Sequence, residues 1–481
     1  MGRALPLSLH ADRSADSGTH FGLVYEAGGG CPRTAADPYA LRCNGGAQGA
    51  ALTFLALPIP PALEATNHSD RHQSARKLQR QVVQTMVPPH LYVDAISGSD
   101  SNDGKTASRA FKTLDKGIKT MQSSATVWLL NGTYNMTGNY DDAGTCYMPP
   151  GTAEAYSTVA ALPGHQPVLA GQINFDCRFP PPTQRVPQYI EFRGLTIRPR
   201  ADPLWYQKEN WGCVHVDWLN FFRLVDIECA WAPNVGIMIG ANNTELVRVH
   251  VHHAGYNCTH MDAFNATSCK RRHLCHGVYL GEGSNMSVRD SHLHHNSQAG
   301  IQVFSGDAGE VPSRNATIRN NHVHDNGYFI AATETQCTGV GIGLYSGQGH
   351  SAIHNRIENN AFGLVIDYAA DDAFLAHNTV VNSSVVHIGI ADELFSAARG
   401  HFVGACNATV VNNTVRSYRA GAFGITIDRT SATVHGNSVC GVVDAVALGA
   451  SPDCPYANRS ACLNASVLSG NHVAKVCAAG Y

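Results

Sequence analysis

Among its 15 cysteines the sequence has no C-x-x-C pair, which argues against zinc ribbons and thioredoxin-like redox motifs. It has no unbroken apolar run of about 18 residues, so no membrane-spanning helix is expected. Charged residues make up only 15% of the chain, and the formal net charge is −3. That balance gives no reason to expect a nucleic-acid or polyanion partner. Apolar residues at helical spacing are scarce, so alternating α/β units are not expected either.

What is abundant points elsewhere. Glycine occurs 46 times, and Asn and His are frequent, as in a chain that turns often. N-x-[ST] sequons fall at Asn67, Asn131, Asn135, Asn242, Asn257, Asn265, Asn285, Asn315, Asn382, Asn407, Asn412, Asn458 and Asn464. With cysteines clustered at 258, 269 and 275 and at 440, 454 and 462, they imply a secreted, disulfide-bonded glycoprotein. An odd cysteine count leaves at least one thiol unpaired or paired with another chain, and the pairings cannot be read from spacing. Residues 1–65 read as a poorly ordered extension, with "AALTFLALPIPPALEA" (50–65) either an internal signal segment or an Ala/Pro-rich linker. Residues 66–89 read as a linker and 90–475 as one domain.

That domain is a repeat. "CVHVDW" (213–218), "VGIMIG" (235–240), "HGVYLG" (276–281), "AGIQVF" (299–304), "VGIGLY" (340–345), "FGLVID" (362–367), "VHIGIA" (386–391) and "FGITID" (423–428) share one alternating pattern. Their inward anchors Val214, Ile237, Val278, Ile301, Ile342, Leu364, Ile388 and Ile425 are 23, 41, 23, 41, 22, 24 and 37 residues apart. The period is therefore about 22–24 residues, with insertions at 254–275, 327–339 and 391–407. A second alternating strand follows, such as "LVRVHVHH" (246–253), and several of these end in Asn. Such units stack as coils, each burying its inward residues on the next. Asn suits the corners because it tolerates left-handed angles and its amides can pair from coil to coil.

The segment "LYVDAISGSDSNDGKTASRAFKTLDKGIKTM" (91–121), followed by "VWLLNGTYNMTG" (127–138), resembles the entry of the right-handed parallel β-helix, or pectin-lyase-like, superfamily. The resemblance covers about residues 90–475 and implies an all-β solenoid with an N-terminal capping helix. Phe111, Leu114, Ile118 and Met121 have helical spacing, with Ser108 as the expected cap. The cysteine-rich tail (440–477) is expected to close the far end. The superfamily includes polysaccharide lyases, polygalacturonases and epimerases, but their "NTD", "GHG", "RIK", "DPH" and "WIDH" motifs are absent here. No particular activity carries over.

Three residues after each anchor a side chain points outward. Asp367 and Asp428 fall in this row two coils apart, with Asp392 and Glu393 on the coil between them and Phe304 and Tyr345 earlier. Two carboxylates at such spacing suit general acid–base work on a sugar. Asp367, Asp428 and Asp392 are thus the candidate catalytic residues. Asp392 and Glu393 are candidate Ca²⁺ ligands. Phe304, Tyr345, Tyr368 and Arg429, with Lys270, Arg271, Arg272 and His273 of an insertion, are candidate substrate contacts. The competing reading makes the acidic residues solvated turn charges and "CKRRH" a solvated loop. The His run at 250–253 lacks a third ligand at a clear spacing, so no zinc site is expected there. The sequence thus suggests a monomeric extracellular protein that cleaves or binds polysaccharide, as a lyase or hydrolase. The alternatives are a non-catalytic carbohydrate-binding or structural cell-surface protein, or an adhesin.

Overall fold

The computed structural model describes residues 90–135, 148–176, 187–199, 212–255, 275–305, 312–327, 339–390, 395–396, 401–402, 407–428, 430, 432–449 and 467–477. The expected N-terminal extension and linker (1–65 and 66–89) lie outside them. Equivalent short strands of successive coils pair in parallel, building three ladders. The first, called here the site ladder, contains Ile173–Asp176, the start of Val214–Val225, Ile237–Asn242, Val278–Leu280, Ile301–Val303, Val340–Gln348, Phe362–Asp371, Val386–Ile390, Phe423–Asp428 and Val446–Gly449. The middle ladder runs from Leu91–Val93 to Val467–Ser469. The third has 12 strands, from Gly132–Asn135 to His472–Ala474.

The eight expected anchors, Val214 to Ile425, are all 0% exposed and stand in register from coil to coil. Burying each such side chain contributes about 1.5–3 kcal/mol. The expected second strand is in fact two. In 246–253 these are Glu245–Val247 on the middle ladder and His250–His252 on the third. Between them Arg248 adopts φ 50°, and the same corner recurs at Asp226, Asp290, Asn320, His354, His377 and Asn412. Val249, just past the corner, is buried like Val251, so the sequence alternation runs through the bend and hides it.

Asparagine does two separate jobs. One set, including Asn285, Asn315 and Asn382, takes the left-handed corner angle. Another is buried and forms an amide ladder: Asn321 Nδ2 donates to Asn355 Oδ1 (3.0 Å), Asn355 to Asn378 (3.0 Å), Asn378 to Asn413 (2.9 Å) and Asn413 to Asn437 (3.0 Å). Each amide oxygen also accepts the backbone N–H of the previous asparagine, so the corner's buried polar groups are satisfied.

At the N-terminal end, helix α1 (Leu114–Thr120) lies over the first coils, and a Cβ on Gly117 would stand 2.8 Å from Val93. Its cap is Thr113, whose hydroxyl accepts from Lys116 N, and Ser108 sits instead in a 3₁₀ turn (Ala107–Arg109). At the other end Val467–Ser469 and His472–Ala474 add to the middle and third ladders. This part of the tail therefore extends the stack instead of closing it. Disulfides join Cys213 to Cys229 and Cys440 to Cys477. No helix among the described residues is long and apolar enough to cross a membrane.

Candidate active site

The outward row of the site ladder is built by register. Asp176 pairs with Asp217, and Asp217 with Gly240. Farther along, Val303 pairs with Leu344, and Leu344 with Ile366, so Phe304, Tyr345 and Asp367 follow one another. Ile366, Ile390 and Ile427 are also in register. Asp367 and Asp428 therefore share one column two coils apart, about 10 Å along the stack. The register shifts between Leu344 and Ser346, where Tyr345 stands opposite both Asp367 and Tyr368.

The three carboxylates of 367–372 have different fates. Asp367 is on the row but only 6% exposed. Asp371 pairs with Gln348 at the end of its strand. Asp372 is an exposed left-handed corner (φ 54°) that accepts from Gln348 Nε2 (2.8 Å) and Asn407 Nδ2 (3.3 Å). Phe304 and Tyr345 are half-buried, and the Tyr345 ring lies back over Gly343, where a Cβ would collide with it. Asp428 and Tyr368 are described by their backbone alone. Asp392, Glu393, Arg429 and Lys270, Arg271, Arg272 and His273 lie outside the described residues. Among the sequons, Asn131, Asn135, Asn242, Asn285, Asn315, Asn407 and Asn412 are exposed and Asn382 is half-buried. Asn67, Asn257, Asn265, Asn458 and Asn464 lie outside the described residues.

At the N-terminal end of the row the structure brings together residues that sequence reasoning missed. His215 and Asp217 stand two apart on one strand, and His215 Nε2 lies 3.0 Å from Asp217 Oδ2. An ionised carboxylate only accepts, so this contact puts the imidazole proton on Nε2 and the lone pair on Nδ1. His215 is 3% exposed. Gly240 on the next coil leaves room for the Asp217 carboxylate, which a Cβ there would strike. The next residue, Trp218, has φ 63° at a register shift and is 55% exposed. Tyr279 continues the His215 column through Met238, and its ring stacks on His276 with centroids 5.8 Å apart. The signal was "CVHVDW": His and Asp at i and i+2 of a strand share a face. Scanning only the positions three and four beyond each anchor passes over His215.

The third ladder carries imidazoles in register on three coils: His250, His292 and His322 in one column, and His252, His294 and His324 in the next. His253 and His295 extend the first two coils at the corner. Burial, then repulsion from neighbouring imidazoles, pushes His253 and His292 down to about 4 and His294 to about 3. These three rings are therefore neutral at neutral pH.

The description "right handed beta helix region" matches residues 235–452. A solved rhamnogalacturonan lyase is similar over 72% of this chain and 87% of its own, at 18% identity and a TM-score of 0.50. A mannuronan C-5 epimerase A-module of Azotobacter vinelandii matches over 73% and 90%, at 15% identity and 0.44. A GH136 lacto-N-biosidase of Eubacterium ramulus matches over 85% and 71%, at 13% and 0.41. No curated protein matches the chain. The fold is a right-handed parallel β-helix.

Proposed function

We propose that this is a secreted glycoprotein that binds and acts on a polysaccharide laid along the site ladder, with His215 as the proton-transfer group. The observation that carries the reading is the His215–Asp217 pair beside the exposed Trp218. Asp217 fixes the tautomer, which leaves the Nδ1 lone pair of His215 as the proton acceptor. An exposed indole gives a sugar ring a flat apolar surface. Phe304 and Tyr345 continue the row and supply further ring faces. Proton abstraction beside a uronate carboxylate, followed by elimination, is the chemistry this pair best serves.

Register favours a second reading. Asp367 and Asp428 are about 10 Å apart at their backbones, and an inverting hydrolase needs their carboxyl groups roughly 6.5–9.5 Å apart. Calcium at Asp392 and Glu393 would neutralise a uronate and so belongs with elimination, while substrate contacts from Lys270, Arg271, Arg272, His273, Tyr368 and Arg429 serve either reading.

The test is a panel of acidic and neutral polysaccharides, with rhamnogalacturonan first because of the similar lyase. Ultraviolet absorbance of unsaturated uronates that is lost in His215→Asn supports elimination. Reducing ends without that absorbance, lost in Asp367→Asn or Asp428→Asn, support hydrolysis. Turnover that survives chelation removes calcium from the proposal. Binding without either product makes the protein a carbohydrate-binding module, and no binding across the panel overturns the proposal. Glycopeptide mapping of secreted material checks Asn131, Asn285 and Asn412 first, since they are exposed.

A further inference from the structure

The third ladder offers a feature that polysaccharide chemistry does not use. Its outward columns read Glu228, His250, His292, His322, Arg356 and, beside them, Ala230, His252, His294, His324, Glu358. Rings in a column lie flat on one another: His250–His292 centroids are 5.0 Å apart at 5°, and His292–His322 5.1 Å at 2°. The short contacts run diagonally. His250 Nε2 is 2.8 Å from His294 Nε2, and His292 Nε2 is 2.7 Å from His324 Nε2. His252 Nε2 lies 3.4 Å from Glu228 Oε1.

We propose that this face binds divalent transition cations that favour imidazole, such as zinc, nickel or copper, at up to two sites. Three sets of residues have all their ligating atoms within 4.8 Å of one another: Glu228, His250 and His252; His250, His292 and His294; and His292, His322 and His324. The middle set shares His250 with the first and His292 with the last, so the face holds two ions in the outer sets or one in the middle.

Metal–imidazole bonds of about 2.0–2.1 Å set ligand nitrogens roughly 2.8 Å apart at a right angle and about 3.3 Å apart in a tetrahedron. The diagonal pairs already stand at the first spacing and reach the second by a small ring movement. The ligands come from neighbouring coils, so each ion would clip two turns whose strands, such as His250–His252 and His292–His294, are three residues long. Outward-facing, half-buried rings leave an entry path from solvent. A supporting partner is in place as well: Asp325 Oδ2 lies 2.6 Å from His324 Nδ1, the ring nitrogen opposite the one that meets His292.

The test is calorimetric titration of the full chain, freed of metal, with Zn²⁺ at neutral pH. The expected result is one to two equivalents bound at micromolar Kd or tighter, with a higher thermal midpoint. His250→Gln with His292→Gln removes a ligand from every set and should weaken binding about a hundredfold or more. His435→Gln, an exposed histidine elsewhere, should leave it unchanged. Equal Zn²⁺ binding by the double variant overturns the proposal. Should that variant not fold, Co²⁺ added to the unaltered protein still decides. Intense visible bands of a nitrogen-rich tetrahedral site support it, and the weak spectrum of hydrated Co²⁺ overturns it.

Discussion

Asp217 Oδ2 lies 3.0 Å from His215 Nε2, on one strand and on one face of the coil. Losing a positioned proton-transfer group costs about 10²–10⁴-fold in rate. His215→Asn should lower kcat on the responsive polysaccharide by that order and leave KM nearly unchanged. Gly240→Ala should lower it too, although Gly240 has no reactive group, because its new Cβ displaces the Asp217 carboxylate. Steady-state kinetics of both variants, with circular dichroism to confirm folding, checks this. A Gly240→Ala enzyme of full activity would separate Asp217 from the chemistry.

Trp218 is 55% exposed beside that pair. Trp218→Ala should raise KM several-fold, consistent with about 0.5–1.5 kcal/mol for one aromatic stacking contact, while kcat changes less. Binding isotherms on an inactive His215→Asn background isolate the effect.

Asn413 occupies the middle of the buried amide ladder. Its Nδ2 donates to Leu375 O (3.0 Å) and Asn437 Oδ1 (3.0 Å), and its Oδ1 accepts from Asn378 N and Nδ2 (2.9 Å each). Asn413→Ala leaves several buried groups unpaired, at about 1–3 kcal/mol each. The expected loss is about 3 kcal/mol or more, seen as a lower midpoint in urea. Because each coil contacts chiefly its neighbours, a second transition can appear as the stack divides at that point.

His350 is fully buried, and burial holds its pKa below the ordinary 6.5. Its Nε2 donates to Ser346 O (2.7 Å) while Nδ1 accepts Ala316 N–H (3.1 Å), so protonating Nδ1 would break a backbone hydrogen bond. His387, also buried, is lowered for the same reason. Below about pH 6.5 the unfolded chain therefore binds more protons than the folded one. Stability should be level above about pH 7 and fall as pH drops through 6.5 toward the folded pKa values. The lowered histidines of the third ladder act in the same direction. Thermal midpoints at pH 8, 6.5 and 5 test this, and His350→Gln should make the slope shallower.

The coil period, the inward anchors and the outward row were legible because strand alternation is local and repeats about every 22–24 residues. The corner at Arg248 was not, since Val249 keeps the alternation going on the far side. Ser108 was a reasonable cap for a helix beginning near Phe111, but the helix begins at Leu114 and Thr113 has the cap geometry. Asp367, Asp371 and Asp372 look like one cluster in sequence and separate onto a row, a strand end and a corner.

The sequence by itself determined that this chain winds into stacked coils, because each coil's apolar residues can be buried only by its neighbours. It also determined which positions face outward. Only the tertiary structure decided which outward side chains meet. The His215–Asp217 contact needs the space left by Gly240 on another coil, and the His250–His294 contact joins residues on separate turns. Those meetings depend on how insertions of different length return each strand to register, which the alternation of any one strand does not specify.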